Sequence, residues 1–331
     1  MDPLARVLDH PRAHDVFTVR VVMRAPWAVA VRDRAALTLA MVTSGQSVLR
    51  HGADEWTIRP GDVVLVRGPD PYLVGDLQGS EPIAVIGPDQ RCTSPEGVEL
   101  HQTMTHGLRL WGNDPAGPDS VLIASYADVG EVGRLVSDVL PTVTHLPAGQ
   151  VDPTLVDLLG REVGSDALGQ GAVLDRLVDV LLIAAIRGWI TTHRSALPGW
   201  LAGGDDPAVA TALAAIHEHP ERAWSVAGLA RLASVSRATL AARFREQIGE
   251  PPISYLTRWR LTLARDLLAD RALTLETIAE RIGYGSAFAL SNAFRQHYGR
   301  SPTEHRRRLA VQREPLQPGG VDLPAVRKSV R

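Results

Sequence analysis

Residues 224–249 read WSVAGLARLASVSRATLAARFREQIG, and residues 273–299 read LTLETIAERIGYGSAFALSNAFRQHYG. Each stretch divides into helix, turn and helix. In the first, Ser225 is placed to cap a short helix whose Val226, Leu229 and Ala230 face inward. A turn near Ala233-Ser234-Val235 leads to Ser236, the cap of a second helix. On it Leu240, Phe244 and Ile248 recur at i, i+4 and i+8, which sets one apolar stripe along one face. Gly249 stops that helix, because glycine enters the left-handed conformation without a steric penalty. In the second stretch Thr274 caps, Ile278, Ala279 and Ile282 pack, Gly283 permits a left-handed turn and Ser286 caps again. Ser236, Leu240, Phe244 and Gly249 recur fifty residues later as Ser286, Leu290, Phe294 and Gly299, with Tyr298 completing the second stripe. One such pattern is weak evidence for a helix-turn-helix; two in register are much stronger.

Between the two units, residues 251–270 read PPISYLTRWRLTLARDLLAD. About 18 helical residues after the prolines make a rod of roughly 27 Å. A connector of that size can hold two recognition helices about one duplex turn apart, roughly 34 Å, so that they enter successive major-groove segments on one face.

Residues 283–307, GYGSAFALSNAFRQHYGRSPTEHRR, closely resemble the second helix-turn-helix of AraC/XylS-type regulators at their Gly-Tyr, Ser, Phe, Gly and Ser-Pro positions. The upstream unit SVAGLARLASVSRATLAARFRE and the connector with its Trp-Arg pair are similar too, so the resemblance covers residues 207–309. It implies sequence-specific binding to a double-stranded DNA operator, with bases met by the outer faces of both recognition helices. On the first these positions are Ala238, Ala241 and Ala242, a departure from the longer polar side chains common there. Alanines donate nothing to base edges; they can meet thymine methyls and let the helix approach closely. On the second they are Ala287, Phe288, Ser291 and Asn292. Asn292 is either an adenine reader or a solvated amide. Arg237, Arg245, Arg295, Arg300, Arg306 and Arg307 are candidates for phosphate contacts, which fix register and carry little sequence information.

Charge is distributed in agreement with this division. Residues 1–221 hold 16 Lys+Arg against 28 Asp+Glu, residues 222–310 hold 15 against 7, and residues 311–331 hold 4 against 2. The basic block suits a polyanion partner or is simply a solvated surface.

Upstream, the short β-branched runs of residues 15–125, separated by Gly, Pro and Asp, predict an antiparallel sandwich or barrel. Pro60-Gly61-Asp62 marks a turn, and Val63, Val64, Leu65 and Val66 a buried run. Helical periodicity follows from residue 128, in three segments near 128–140, around 156–159 and at 172–192. The last is apolar almost all round and calls for burial on most sides, in a core, a subunit interface or both. The fold class is therefore α+β: a cupin-like β-barrel or sandwich at 1–126, a helical dimerisation or packing segment at 127–195, a linker at 196–206, an all-α DNA-binding domain at 207–310 and a disordered tail at 311–331. The cupin assignment rests on resemblance to the ligand domain often fused to such regulators, and it implies a small-molecule effector.

The remaining candidate residues argue against an enzyme. His51 and Glu55 lack a His-x-His companion, and His101 and His106 lie beyond the main strand run, so neither metal nor cofactor is expected. The lone Cys92 excludes an internal disulfide. It sits in an expected loop beside Arg91, which would favour the thiolate and make it a redox sensor; otherwise it is an ordinary small residue. The N-terminus has no long apolar run, and residues 178–190 are too short to span a bilayer and contain Asp179 and Arg187. A cytoplasmic homodimer with no membrane contact is expected, meeting RNA polymerase if it activates. The competing readings are a cupin enzyme with a DNA-binding tail and a structural DNA binder without sequence preference.

Overall fold

The computed structural model describes residues 16–88, 90–107, 109–127, 129–165, 167–193, 197–202 and 206–312. Thirteen strands among them are β1 (Val16–Met23), β2 (Ala28–Val31), β3 (Leu37–Ser44), β4 (Ser47–His51), β5 (Asp54–Ile58), β6 (Val63–Arg67), β7 (Tyr72–Gly75), β8 (Ala84–Ile86), β9 (Cys92–Thr93), β10 (Thr105–Gly107), β11 (Leu110–Trp111), β12 (Asp119–Tyr126) and β13 (Val143–Leu146). A seven-stranded sheet runs β10-β11-β1-β12-β3-β6-β13, and a six-stranded sheet runs β5-β4-β7-β2-β8-β9. Pairing is antiparallel except for β1 with β11 and β2 with β8.

Side-chain alternation divides the large sheet between two cores. Leu37, Leu39 and Met41 of β3, Leu65 of β6 and Leu122 of β12 join the helices in one cluster. Ala40, Val42, Val64, Val66 and Val121 meet Leu49 and Ile58 of the smaller sheet in the other. This two-sided burial explains the unbroken apolar run at Val63–Val66, which a sheet with one wet face would not need.

Strand β13 interrupts the helical segment expected at 127–195. Val-Thr-His-Leu between Pro141 and Pro147 pairs antiparallel with β6, from Val143 opposite Val66 to Leu146 opposite Val63. A buried carboxylate fastens this edge. Asp62 accepts hydrogen bonds from His145 Nε2 at 2.9 Å, from the Ala148 amide at 2.8 Å and from the Arg59 amide at 3.0 Å. Burial alone would raise its pKa, but these donors outweigh burial and hold the carboxyl below the ordinary aspartate range.

The upstream helices are α1 (His101–Met104), α2 (Gly130–Ser137), α3 (Pro153–Val163) and α4 (Gln170–Thr192). Asp152 caps α3 through the Thr154 amide, with Pro153 in the first turn. Helix α4 buries Leu174, Val178, Leu181, Leu182, Ala185, Ile186, Trp189 and Ile190. Its other flank is open: Val173 is 45% and Val180 49% exposed. Burial on most sides is thus an overstatement for the single chain.

The expected linker carries a turn of helix, α5 (Gly199–Ala202), with Leu201 buried. The helical domain comprises α6 (Pro207–Glu218), α7 (Val226–Leu232), α8 (Arg237–Ile248), α9 (Pro252–Leu267), α10 (Leu275–Arg281), α11 (Ala287–Tyr298) and α12 (Pro302–Gln312). Asp206 caps α6 through the Ala208 and Val209 amides, with Pro207 in the first turn, as its sequence position implies. Helix α12 extends the domain past the sequence boundary at 310. Residues 313–331 of the expected tail lie outside the described residues. No helix among the described residues is long and apolar enough to cross a membrane.

Candidate nucleic-acid interface

All four helix caps read from the sequence are formed. The side-chain oxygens of Ser225, Ser236, Thr274 and Ser286 accept from the amides of Gly228, Thr239, Thr277 and Ala289. Gly249 and Gly299 end α8 and α11 in the left-handed conformation at φ +87° and +71°. Matching backbone hydrogen bonds close the two turns, Val235 to the Ala230 carbonyl at 3.0 Å and Tyr284 to the Ala279 carbonyl at 2.8 Å, beside shorter-range ones from Ser234 to Arg231 and from Gly283 to Glu280.

The two turns differ in length. The caps Ser225 and Thr274 are forty-nine residues apart, whereas Ser236 and Ser286 are fifty apart, so the second turn holds one extra residue before its recognition helix. The left-handed position is Ser234 at φ +56° in the first and Gly283 at φ +79° in the second. Gly283 also has no room for a β-carbon, which would strike the Glu221 carbonyl and the Arg260 guanidinium.

Each recognition helix is anchored by a fully buried phenylalanine. Phe244 packs edge-on against Tyr255 at 5.8 Å, and Phe294 contacts Tyr298 at 4.7 Å and His305 at 5.7 Å. Leu240 and Leu290 are buried one turn earlier. Most of the residues expected to meet DNA lie on the exposed sides of these helices. On α8, Arg237, Ala238, Ala242 and Arg245 are exposed and Ala241 is half-buried. On α11, Asn292 and Arg295 are exposed, Ala287 and Ser291 half-buried, and Phe288 is 74% exposed.

Internal pairing narrows the basic block. Arg243 pairs with Asp206 at 2.9 Å, and Arg258 with Glu250 at 2.8 Å while lying over the Tyr255 ring. Arg260 donates to the carbonyls of Pro220 and Arg222 at 2.6 and 2.7 Å. Arg265 lies 4.7 Å from the Tyr298 ring centre. Arg306, expected on phosphate, instead donates to the carbonyl of Leu268 at the end of α9, at 3.3 Å, and to that of Leu273 just before α10, at 2.8 Å. Loose carbonyls at a helix end attract a cation, and long-range placement brings Arg306 there. Arg307 is exposed and Arg300 half-buried. The sequence set omits Arg308, exposed in the same Arg306-Arg307-Arg308 run.

A cupin family profile matches residues 2–191, and a helix-turn-helix domain profile matches residues 229–308. A putative AraC-like transcription regulator of Streptomyces antibioticus is 32% identical over 93% of this chain and 99% of its own length. One from Streptomyces lividans is 32% identical over 93% of this chain and 98% of its own. The HTH-type transcriptional regulator AlkR of Acinetobacter baylyi is 26% identical over 92% and 99%. The chain belongs to the AraC-like transcription regulators.

This AraC-like protein is a sequence-specific DNA-binding regulator whose cupin region precedes the helical reading domain. In that region Glu55 pairs with Arg50 at 2.6 Å, and His106 Nε2 is hydrogen-bonded to the Gly112 carbonyl at 2.9 Å. Among the described residues no three His, Cys, Asp or Glu side chains converge as metal ligands would. Cys92 lies in strand β9 rather than a loop. It is buried against Met23, Trp27 and Ala84, and burial, with Glu99 adding, pushes its thiol up to about 11. Arg91 sits 3.8 Å from Glu99. The sequence argument for a favoured thiolate therefore fails here: burial opposes the charged form.

Proposed function

We propose that the regulator lays α8 and α11 into two successive major-groove segments of one operator and reads bases mainly with α11. The observation that carries this is the shared outward presentation of both helices. The same buried Phe anchor and the same caps leave Arg237 and Arg245 on one, and Phe288, Asn292 and Arg295 on the other, facing away from the core. Ala238, Ala241 and Ala242 supply close approach and methyl contacts. Ala287, Phe288, Ser291 and Asn292 supply apolar contact and hydrogen bonds, with Asn292 on adenine. Arg237, Arg245, Arg295, Arg300 and Arg307 hold phosphates, and Arg306 is withdrawn from that set by its part at the end of α9.

The cupin region acts as a regulatory domain without enzymatic activity, responding to a small-molecule effector by favouring one arrangement of the chain over another. The open apolar flank of α4, with Val173 and Val180, supports a homodimer. Such a protein works in the cytoplasm, and it meets RNA polymerase where its operator lies beside a promoter. A redox role for Cys92 would require the core around β9 to open first.

The test is Asn292→Ala measured on the operator and on random DNA. Operator affinity falls about tenfold or more while random-DNA affinity changes little. Equal losses on both would remove Asn292 as a base reader.

A further inference from the structure

Arg260 stands near the middle of the connector α9 and is half-buried. Its Nε donates to the Pro220 carbonyl at 2.6 Å and its Nη2 to the Arg222 carbonyl at 2.7 Å. Both acceptors lie in the loop that leads from α6 into α7, the first helix of the first helix-turn-helix unit. That loop is braced on itself. The Trp224 indole donates to the His219 carbonyl at 2.9 Å, and the Trp224 amide donates to the Arg222 carbonyl at 2.8 Å. The Arg222 guanidinium lies 5.1 Å from the Trp224 ring centre. Ser225, the cap of α7, follows directly, so a hold on this loop is a hold on the start of the first unit.

The same guanidinium meets the second unit. Its carbon lies 5.9 Å from the Tyr284 ring centre, within cation–π range. Gly283, one residue earlier in the turn between α10 and α11, is so close that a β-carbon there would come within 2.6 Å of Nη2. Other arginines of the domain pair on one side: Arg243 and Arg258 join Asp206 and Glu250 by the first unit, and Arg265 lies over Tyr298 at the end of α11. Arg260 spans the two.

We propose that Arg260 is a positioning residue that fixes how the first unit sits relative to the second, and thereby which separation of operator patches the protein accepts. A connector helix fixes the distance between its ends; the relative turn of the units about it needs a second tie, which Arg260 supplies. The chemistry calls for arginine. Its planar fork holds two carbonyls in fixed geometry while the delocalised cation lies by an aromatic ring, whereas a lysine ammonium is a point charge on a flexible stem. The consequence for spacing rests on the two-groove reading proposed above. One base pair inserted between the patches moves the second by about 3.4 Å and turns it by about a tenth of a turn.

The tie itself is tested without DNA. Nitroxide labels are placed on the full-length protein at Glu246→Cys of α8 and Gln296→Cys of α11, exposed positions fifty residues apart, while Cys92 is buried. Double electron–electron resonance is expected to give one narrow distance in this parent and a broadened or shifted one after Arg260→Lys. Tyr284→Leu, which keeps apolar bulk and removes the ring, is expected to broaden it less. A distance unchanged from the parent in either variant would overturn the proposal. The spacing consequence is read on the duplex that the unlabelled protein selects from a random-sequence pool, with one base pair inserted or removed between the patches. The unsubstituted protein is expected to lose about tenfold in affinity on either change, the order of one poorly met base pair, and Arg260→Lys about threefold or less. If Arg260→Lys instead weakens binding by the same factor at every spacing, the residue is merely structural and the proposal fails. A broadened distance beside an unsubstituted protein indifferent to spacing would keep Arg260 in its role and sink the two-groove reading.

Discussion

Helix α8 and helix α11 both start on a serine cap, bury a leucine and a phenylalanine, and stop after twelve residues on a left-handed glycine. Their outer faces share little beyond one arginine, Arg245 and Arg295. One shows alanines between two arginines; the other shows an exposed phenylalanine, a serine and an asparagine. Caps and the buried stripe set where a recognition helix sits, and the few side chains facing away from the core set what it can read. The units differ in one structural respect as well, the longer second turn with Gly283 pressed against Glu221, in the loop between α6 and α7, and against Arg260 of the connector. That contact ties the second unit to the loop leading into the first as well as to the connector.

The comparison breaks most visibly at the anchors. Phe244→Ala and Phe294→Ala should each cost about 3–5 kcal/mol in chemical denaturation. Similar losses would establish the units as equivalent scaffolds, and a loss below 1 kcal/mol at either would show that its anchor is dispensable. Acid should act next. His217 sits under the first unit and His305 against Phe294 of the second, and burial first, then nearby arginines, pushes each down to about 4. Both are neutral when folded and take up a proton near pH 6.5 when unfolded. Their stabilising contribution is therefore complete above pH 6.5 and is lost as pH falls toward 4. For the fully buried His217 it amounts to about 3 kcal/mol at most. A denaturation midpoint flat between pH 6.5 and 4 would contradict this.

The turns are expected to respond unequally. Gly283→Ala adds a β-carbon to a left-handed residue with no space and should cost about 2 kcal/mol or more, whereas Ser234→Gly should stay within about 1 kcal/mol. Equal, small effects in thermal melts would mean the second turn can relax away from Glu221 and Arg260. The smallest effect belongs to the outer face of α8. Ala242→Ser should alter operator affinity by less than about 0.5 kcal/mol, against roughly tenfold for Asn292→Ala. A larger change at Ala242 would make α8 a reader on a par with α11.

Local chemistry was legible in the sequence, and long-range pairing was not. The caps at Ser225, Ser236, Thr274 and Ser286 declare themselves because each depends on an amide three residues away. The Phe stripes declare themselves because helical spacing is fixed. Strand β13 stayed hidden because four residues between two prolines carry too little period to read; only β6 across the sheet makes them a strand. Helix α12 did leave a local signal in Ser301-Pro302-Thr303-Glu304. There the Ser301 amide donates to Glu304 at 2.7 Å, and the Glu304 amide donates back to Ser301 Oγ at 3.2 Å. The fate of Arg306, and of the arginines that pair inside the domain, depends on residues some 8 to 40 positions away. No window along the chain reveals those partners, so net charge overstates what is available to DNA.

Operator reading as proposed requires both recognition helices to engage one face of one duplex. Methylation interference on the operator, repeated after inserting five base pairs at its centre, tests this most directly. Two major-groove patches about one turn apart are expected, with affinity collapsing on insertion because a half-turn carries the second patch to the opposite face. A single patch, or affinity indifferent to the insertion, would contradict it.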